Sequence, residues 1–337
     1  MKKKQIKILI TLGPASINKK FLKFCIDSKV SLLRLNMSHI NLKDLEKNIK
    51  LIRKFNKRTQ ICIDTEGAQI RTKNKNSKKK FFRKNAIFSF YKDEKKLSLY
   101  PPEVFNKVKK NDVLLIGFEN LRAKVLTVRK ERIVLKVLES GFIEKNKGVH
   151  LQNRNLKLNF LTQKDIQAIK IGKKNKIKNY ALSFTSSAND IIEFNKILPT
   201  ENKIYKLETN KACKNLKKII KLGNNFLIDR GDLSKEVRIE NIPIFQRKIV
   251  REVKKHKNKE VYIATNLLES MIKNIYPTRA EANDIFNCLE MGANGLVLAA
   301  ETAVGNYPQD TVNFLSKIID KYKKFKKNLW KIKLIEK

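Results

Sequence analysis

The sequence predicts an α/β protein, a (β/α)8 barrel of the TIM class carrying a small inserted β-rich lid domain. Three observations carry this expectation. Short runs rich in Ile, Val and Leu recur at about 6–12, 31–36, 60–65, 179–184, 203–208, 225–230, 260–265 and 295–300. Segments with helical spacing separate most of them, such as Leu22–Cys25, Leu45–Ile52 and Leu216–Leu222. Strands alternating with helices imply βαβ units and a parallel sheet, and eight such runs make closure into a barrel the economical choice. The apolar runs also end in polar or charged residues: Lys206-Leu207-Glu208, Asp229-Arg230-Gly231-Asp232 and Thr265 each follow one. Reactive groups at the C-terminal ends of buried strands are how such a barrel builds a site.

The rhythm breaks once. Residues 73–152 hold alternating apolar and polar runs (Ile87–Tyr91, Val113–Ile116, Ala123–Val128, Ile133–Val137) without a clear amphipathic helix. That pattern predicts an inserted β domain, entered through the polar, basic Lys73–Lys80 as a hinge. The barrel then comprises 1–72 and 153–325. Its last helix spans about Gln309–Phe325, and 326–337 reads as a basic tail.

The formal net charge is +43 and the sequence pI about 10.1. Such an excess normally signals a polyanionic partner. Only 14 of the 75 basic residues are Arg, however, and the Lys are scattered along the whole chain. Bidentate recognition of phosphates and bases favours Arg, so the excess reads as codon drift, which the abundant Asn and Ile match, rather than a nucleic-acid surface. Cys25, Cys62, Cys213 and Cys288 lie far apart with no CxxC pair, and read as reduced core residues. The start Met1-Lys2-Lys3-Lys4 mimics a signal peptide, but Ile6–Leu12 is interrupted by Lys7 and soon meets Gly13-Pro14. With no run of membrane-spanning length, the expectation is a soluble cytoplasmic protein without a membrane partner.

The candidate chemistry is hard and anionic. Arg34-Leu35-Asn36-Met37-Ser38-His39 ends the second run and Asp64-Thr65-Glu66-Gly67 the third. Asn36, Ser38, Asp64 and Thr65 offer oxygen ligands suited to an alkali or alkaline-earth cation, with Arg34 beside them for a phosphoryl group. Capping of the next helix by Asn36 and Ser38 stands level with ligation for each residue alone. Lys206 and Glu208 alternate along one strand and point the same way, which for an isolated pair reads first as a structural ion pair. Asp232, one strand later, is placed to share a Mg2+ with Glu208. Arg230-Gly231-Asp232 presents backbone N–H groups at a helix start, an anion site.

As an ordered set, these motifs resemble the barrel and lid of the pyruvate kinase family. The matching pieces are Ile10–Ser16, Arg34–His39, Asp64–Gly67 with Ile70-Arg71-Thr72, Lys147-Gly148-Val149, Lys206–Glu208, Asp229–Leu233, Ala264–Met271, Pro277–Glu281 and Glu301–Gly305, together spanning nearly all of 5–325. The resemblance implies a phosphotransferase of glycolysis that moves the phosphoryl group of phosphoenolpyruvate to ADP, giving pyruvate and ATP. It implies that Arg34 binds the phosphoryl group, that Asn36, Ser38, Asp64 and Thr65 hold K+, and that Glu208 and Asp232 hold Mg2+. The Gly231 and Asp232 amides would receive the substrate carboxylate. Lys206 would neutralise the transferring phosphoryl, Thr265 would help protonate the enolate, and Arg71 and Lys147 would face the nucleotide.

The chain departs from the family pattern at several places. The family commonly has Asp-Asp-Gly where this chain has Gly117-Phe118-Glu119, Arg where it has Ser186, Lys where it has Glu66, and Glu or Lys where it has Gln69. The family usually continues into a further C-terminal domain used for subunit contacts and effector binding, whereas this chain stops just after the barrel; a homo-oligomer stays open. The competing readings are a catalytically degenerate relative acting as a metabolite-binding or assembly partner, a basic nucleic-acid binder, and another enolate-forming barrel enzyme.

Overall fold

A computed structural model describes residues 5–74, 79–117, 121–152, 154 and 156–335. Two readings made from the sequence, the Met1–Lys4 start and the Phe118-Glu119 turn, lie outside them, as does the middle of the 73–80 hinge.

The eight apolar runs form a closed parallel barrel. Its strands are β1 (Lys7–Thr11), β2 (Leu32–Asn36), β3 (Gln60–Asp64), β4 (Asn179–Leu182), β5 (Asn202–Leu207), β6 (Asn225–Asp229), β7 (Glu260–Ala264) and β8 (Gly295–Leu298), closing when β1 pairs with β8. Helices α1 (Lys19–Asp27) and α2 (Leu42–Phe55) follow β1 and β2, and α3 (Gln163–Lys174) precedes β4. Then α4 (Ala188–Ile197), α5 (Leu216–Leu222), α6 (Ile242–Lys254), α7 (Arg279–Met291) and α8 (Pro308–Ile335) complete the alternation. Strand residues alternate inward and outward, so Leu9, Leu32, Cys62, Ala181, Ile204, Leu227, Tyr262, Ala264 and Val297 pack into one interior cluster.

Helix starts are written locally. Asn41 caps α2 by accepting from the Asp44 amide, and Leu45, Ile49 and Ile52 bury one face. The helix after β2 is therefore capped by Asn41, not by Asn36 or Ser38, which removes capping as their explanation. Ser187 with Asp190, and Thr278 with Glu281, form reciprocal capping boxes at α4 and α7.

By its contacts the chain divides into two units, Met1–Glu66 with Gln163–Lys337, and Gly67–Thr162. In the second, Ile87–Tyr91, Arg132–Glu139, Leu121–Arg129, Val113–Ile116, Gly148–Leu151, Ile70–Lys73 and Ser98–Tyr100 form an antiparallel sheet in that order. It closes over its own core, which includes Phe88, Phe90, Leu114, Val125 and Leu135. The seam falls before Ile70 rather than at residue 73, because Arg71 and Ile70 pair with Gly148 and Val149 of this sheet. The expected tail also differs. α8 continues through Ile335 instead of ending at Phe325. Tyr322 and Phe325 both stack against Phe286 of α7, and Lys is a good helix former. Among the described residues no helix is long and apolar enough to cross a membrane.

All four cysteines are free and buried. Burial pushes the Cys25 and Cys288 thiols up to about 12 and Cys213 to about 11, and it raises Cys62 as well. The reactive thiolate is thereby suppressed. A maleimide at neutral pH is expected to label none of the four in the native protein and all four in denaturant, counted by intact mass; fast native labelling would contradict this packing.

Candidate active site

Ten of the sequence-selected residues, Arg34, Asn36, Ser38, Asp64, Thr65, Lys206, Glu208, Gly231, Asp232 and Thr265, lie at or just beyond the C-terminal ends of β2, β3, β5, β6 and β7. Lys206 is nearly fully buried. Its ammonium lies 2.8 Å from Glu208 Oε1, 3.1 Å from Ser183 Oγ, 3.4 Å from Asp64 Oδ2 and 3.7 Å from Asp229 Oδ2. Burial alone would depress the Lys206 pKa, but Asp64, Glu208 and Asp229 outweigh it and hold the group firmly charged. Glu208 answers differently. Burial, with Asp232 and Asp229 reinforcing it and Lys206 opposing, pushes its carboxyl up to about 8.

Arg34 is the second buried cation. Its Nε and Nη2 donate to Thr11 Oγ1 at 3.0 and 2.7 Å, and Nη1 stands 3.1 Å from Asp64 Oδ2. Asp64 thus links Arg34 to Lys206. Ser183 ties the same region together: its hydroxyl donates to the Thr65 carbonyl at 2.6 Å, and its amide donates to Thr65 Oγ1 at 3.0 Å. Asn36 and Asp64 are register partners on adjacent strands, and Asn36 Oδ1 accepts from the Ser38 amide at 2.9 Å. Beside this oxygen-rich set the Lys164 ammonium donates to the Met37 carbonyl and sits 3.3 Å from Glu66.

Ligand oxygens of Glu208, Asp229 and Asp232 lie within 4.8 Å of one another. Glu208 Oε2 accepts from the Phe184 amide at 2.6 Å, while Oε1, though close to the ammonium, has no donor aligned as a hydrogen bond. A buried carboxylate oxygen without an aligned donor, beside two more carboxylates, suits a small hard cation such as Mg2+. Lys235, one turn beyond Asp232, places its ammonium on that carboxylate.

Thr265 follows β7 in the left-handed region at φ +70°, and Asn266 continues there at φ +53°. For a β-branched residue this is a genuine outlier, of the kind that costs about 1–3 kcal/mol and collects at functional sites. Thr265 Oγ1 donates to the Ala264 carbonyl and accepts from the Gly231 amide at 2.8 Å. The Asp232 amide makes a long 3.5 Å bond to Asp229 Oδ1. Both amides expected to receive a carboxylate therefore have internal partners in this state.

Arg71 and Lys147 belong to the second unit, Arg71 on the strand Ile70–Lys73 and Lys147 just before the neighbouring strand Gly148–Leu151. There Arg71 donates to the Asn146 carbonyl at 3.4 Å and Lys147 stands 3.1 Å from Glu144. Sequence reasoning assigned no side-chain contact to Thr11, Ser183, Asp229, Arg230 or Asp284, which hold one another and the site residues in the structure. Asp229 was the most findable, being the last residue of an apolar run.

Two expectations follow. Lys206→Ala leaves Glu208 and Asp229 without their buried cation and Asp64 with Arg34 alone, and such losses destabilise by about 3–5 kcal/mol; urea denaturation reads this, and an unchanged midpoint would contradict the ion cluster. Lys235→Met frees Asp232 of a partly exposed ion pair worth up to about 1 kcal/mol, so Mn2+ affinity by calorimetry should rise by about two- to fivefold.

The comparisons with known proteins agree with this architecture. The profile of the pyruvate kinase barrel domain matches residues 3–312. Pyruvate kinase of Thermotoga maritima is 32% identical over 325 residues, 93% of this chain and 70% of that protein. That of Clostridium perfringens is 32% identical over 330 residues, 94% and 69% respectively. A Staphylococcus aureus pyruvate kinase is 30% identical over 94% of this chain and 56% of its own length. The chain belongs to the pyruvate kinase family.

Proposed function

We propose that this protein is an active phosphotransferase, moving the phosphoryl group of phosphoenolpyruvate to ADP to give pyruvate and ATP. The observation that carries the reading is the buried Lys206 ammonium, held charged by Asp64, Glu208 and Asp229 at the barrel's C-terminal end beside Arg34. Phosphoryl transfer needs little covalent help from a protein. It needs cations fixed where the transferring oxygens gather charge.

In this reading Arg34 and Lys206 flank the phosphoryl group. A terminal oxygen of ADP forms the new P–O bond as the bond to the enol oxygen breaks, leaving the enolate of pyruvate. The substrate carboxylate takes the Gly231 amide, displacing the Thr265 hydroxyl that occupies it in this state. Thr265 is then released to help deliver a proton to C3. Glu208 and Asp232, with Asp229 beside them, would hold Mg2+, which supplies Lewis-acid stabilisation of oxygen charge when bound. Asn36, Ser38, Asp64 and Thr65 are the proposed K+ ligands. The Lys164 ammonium beside them makes the strength of that requirement an experimental question. Arg71 and Lys147 are proposed to contact the nucleotide, on the strength of the family resemblance.

The test is ADP-dependent pyruvate formation from phosphoenolpyruvate with Mg2+, with and without K+. Turnover by the wild type is expected, with a loss of about a hundredfold or more in Lys206→Met, shown to be folded by circular dichroism. A folded wild type inactive under both conditions would overturn the proposal.

A further inference from the structure

Thr265 and Asn266 are the only consecutive pair of left-handed non-glycine residues among those described, and Thr265 is the only β-branched one in that region. A turn of that kind persists only when its surroundings over-determine it. Here one side chain serves the backbone carbonyls of both residues. Arg230 Nε donates to the Thr265 carbonyl at 3.1 Å, and Nη2 donates to the same carbonyl at 2.6 Å and to that of Asn266 at 3.2 Å. Nη1 donates to Asp284 Oδ2 of α7 at 2.6 Å. Four of the five N–H donors of the guanidinium are thus engaged within the protein, which argues against a role in binding a phosphate.

We propose that Arg230 is a positioning residue. Anchored by Asp284, it clamps the Thr265–Asn266 backbone and so fixes where Thr265 Oγ stands. Two features make this more than a structural tie. Arg230 begins the short turn that carries Gly231 and Asp232, so the clamp joins the end of β6 to the end of β7. It also grips the backbone of the residue whose hydroxyl meets the Gly231 amide. A lysine at this position cannot reproduce it, because an ammonium lacks the planar fork that serves two adjacent carbonyls and a carboxylate together.

The inference rests on the proposed role of Thr265 in proton delivery. In that step a C–H bond forms at C3 of the enolate, the donor's O–H bond breaks, and solvent returns the proton to oxygen. Run backwards on pyruvate in D2O, the same step exchanges the methyl protons for deuterium without phosphoryl transfer. Exchange is followed by NMR with pyruvate, Mg2+, K+ and inorganic phosphate, next to steady-state kinetics. Arg230→Met is expected to slow both exchange and kcat by about 10–100-fold, the scale of a misplaced reacting group, while KM for phosphoenolpyruvate moves less than about threefold. Arg230→Lys, which keeps the charge, should not restore exchange, and Asp284→Asn should show a smaller loss in the same direction.

Wild-type exchange in a folded Arg230→Met or Arg230→Lys protein, with the wild type itself active, overturns the clamp alone. So does a rise in KM with exchange untouched, which would place Arg230 on the substrate. If Arg230→Met does not fold, Arg230→Lys and Asp284→Asn decide by the same criteria. A folded wild type with neither turnover nor exchange overturns the reading of Thr265 and this inference with it.

Discussion

The site depends on one buried ammonium. Lys206 can sit inside the barrel only because Asp64, Glu208 and Asp229 reach it from the ends of three different strands. Desolvating an ion is so unfavourable that the arrangement is close to all-or-none: with its partners the charge is secure, and without one of them the rest are stranded. That requirement reaches into the fold. β3, β5 and β6 must hold a common register at their C-terminal ends, and the parallel barrel, with β3, β4, β5 and β6 neighbours in order, is what delivers it. Ser183, at the end of the intervening β4, fills the gap by bonding to both Lys206 and the Thr65 carbonyl.

The same strand ends store backbone strain. Phe184 after β4, and Thr265 and Asn266 after β7, all have positive φ. Each turns a backbone group towards the ion cluster or its neighbour: the Phe184 amide meets Glu208, and the Thr265 carbonyl meets Arg230. Ordinary strand geometry would point these groups into the sheet ladder instead. The strain is local, and it is borne by a frame whose helices are capped independently by Asn41, Ser187 and Thr278.

How far the sequence could be read follows from this division. The eight strands were legible because their apolar runs are short and bounded, and Lys206, Glu208 and Asp232 because charged residues at strand ends are conspicuous. What was not legible depends on distances across the barrel. Nothing in Ser183-Phe184-Thr185 announces that Ser183 bridges Lys206 and Thr65, and the Arg230–Asp284 pair spans 54 positions in sequence. Side-chain capping was readable as a type but not as a position. Asn36, Ser38 and Asn41 are all competent caps, and only the actual helix start, at Leu42, selects Asn41. α8 runs past Phe325 because the Lys-rich composition that resembles a tail is also made of good helix formers.

The large positive charge and the acidic site are not in conflict, because they obey different rules. An exposed lysine contributes little to stability, so surface composition is loosely held, and its field is screened within about 10 Å at ordinary ionic strength. Inside the barrel the balance is set at contact distance. Asp64, Glu208, Asp229 and Asp232 face Arg34, Lys206 and Lys235, and Arg34 and Lys235 are each already drawn onto a carboxylate. Left to itself, such a pocket repels a phosphorylated carboxylate. The surface field favours approach of anionic substrates, but entry depends on the local deficit being met. Burial first, and the Asp232 and Asp229 charges after it, push the Glu208 carboxyl up, so its charged form needs a counter-charge. A divalent cation on Glu208 and Asp232 would remove that need and leave Arg34 and Lys206 facing an anion. Cation binding and substrate binding at this site would then be two parts of one charge balance.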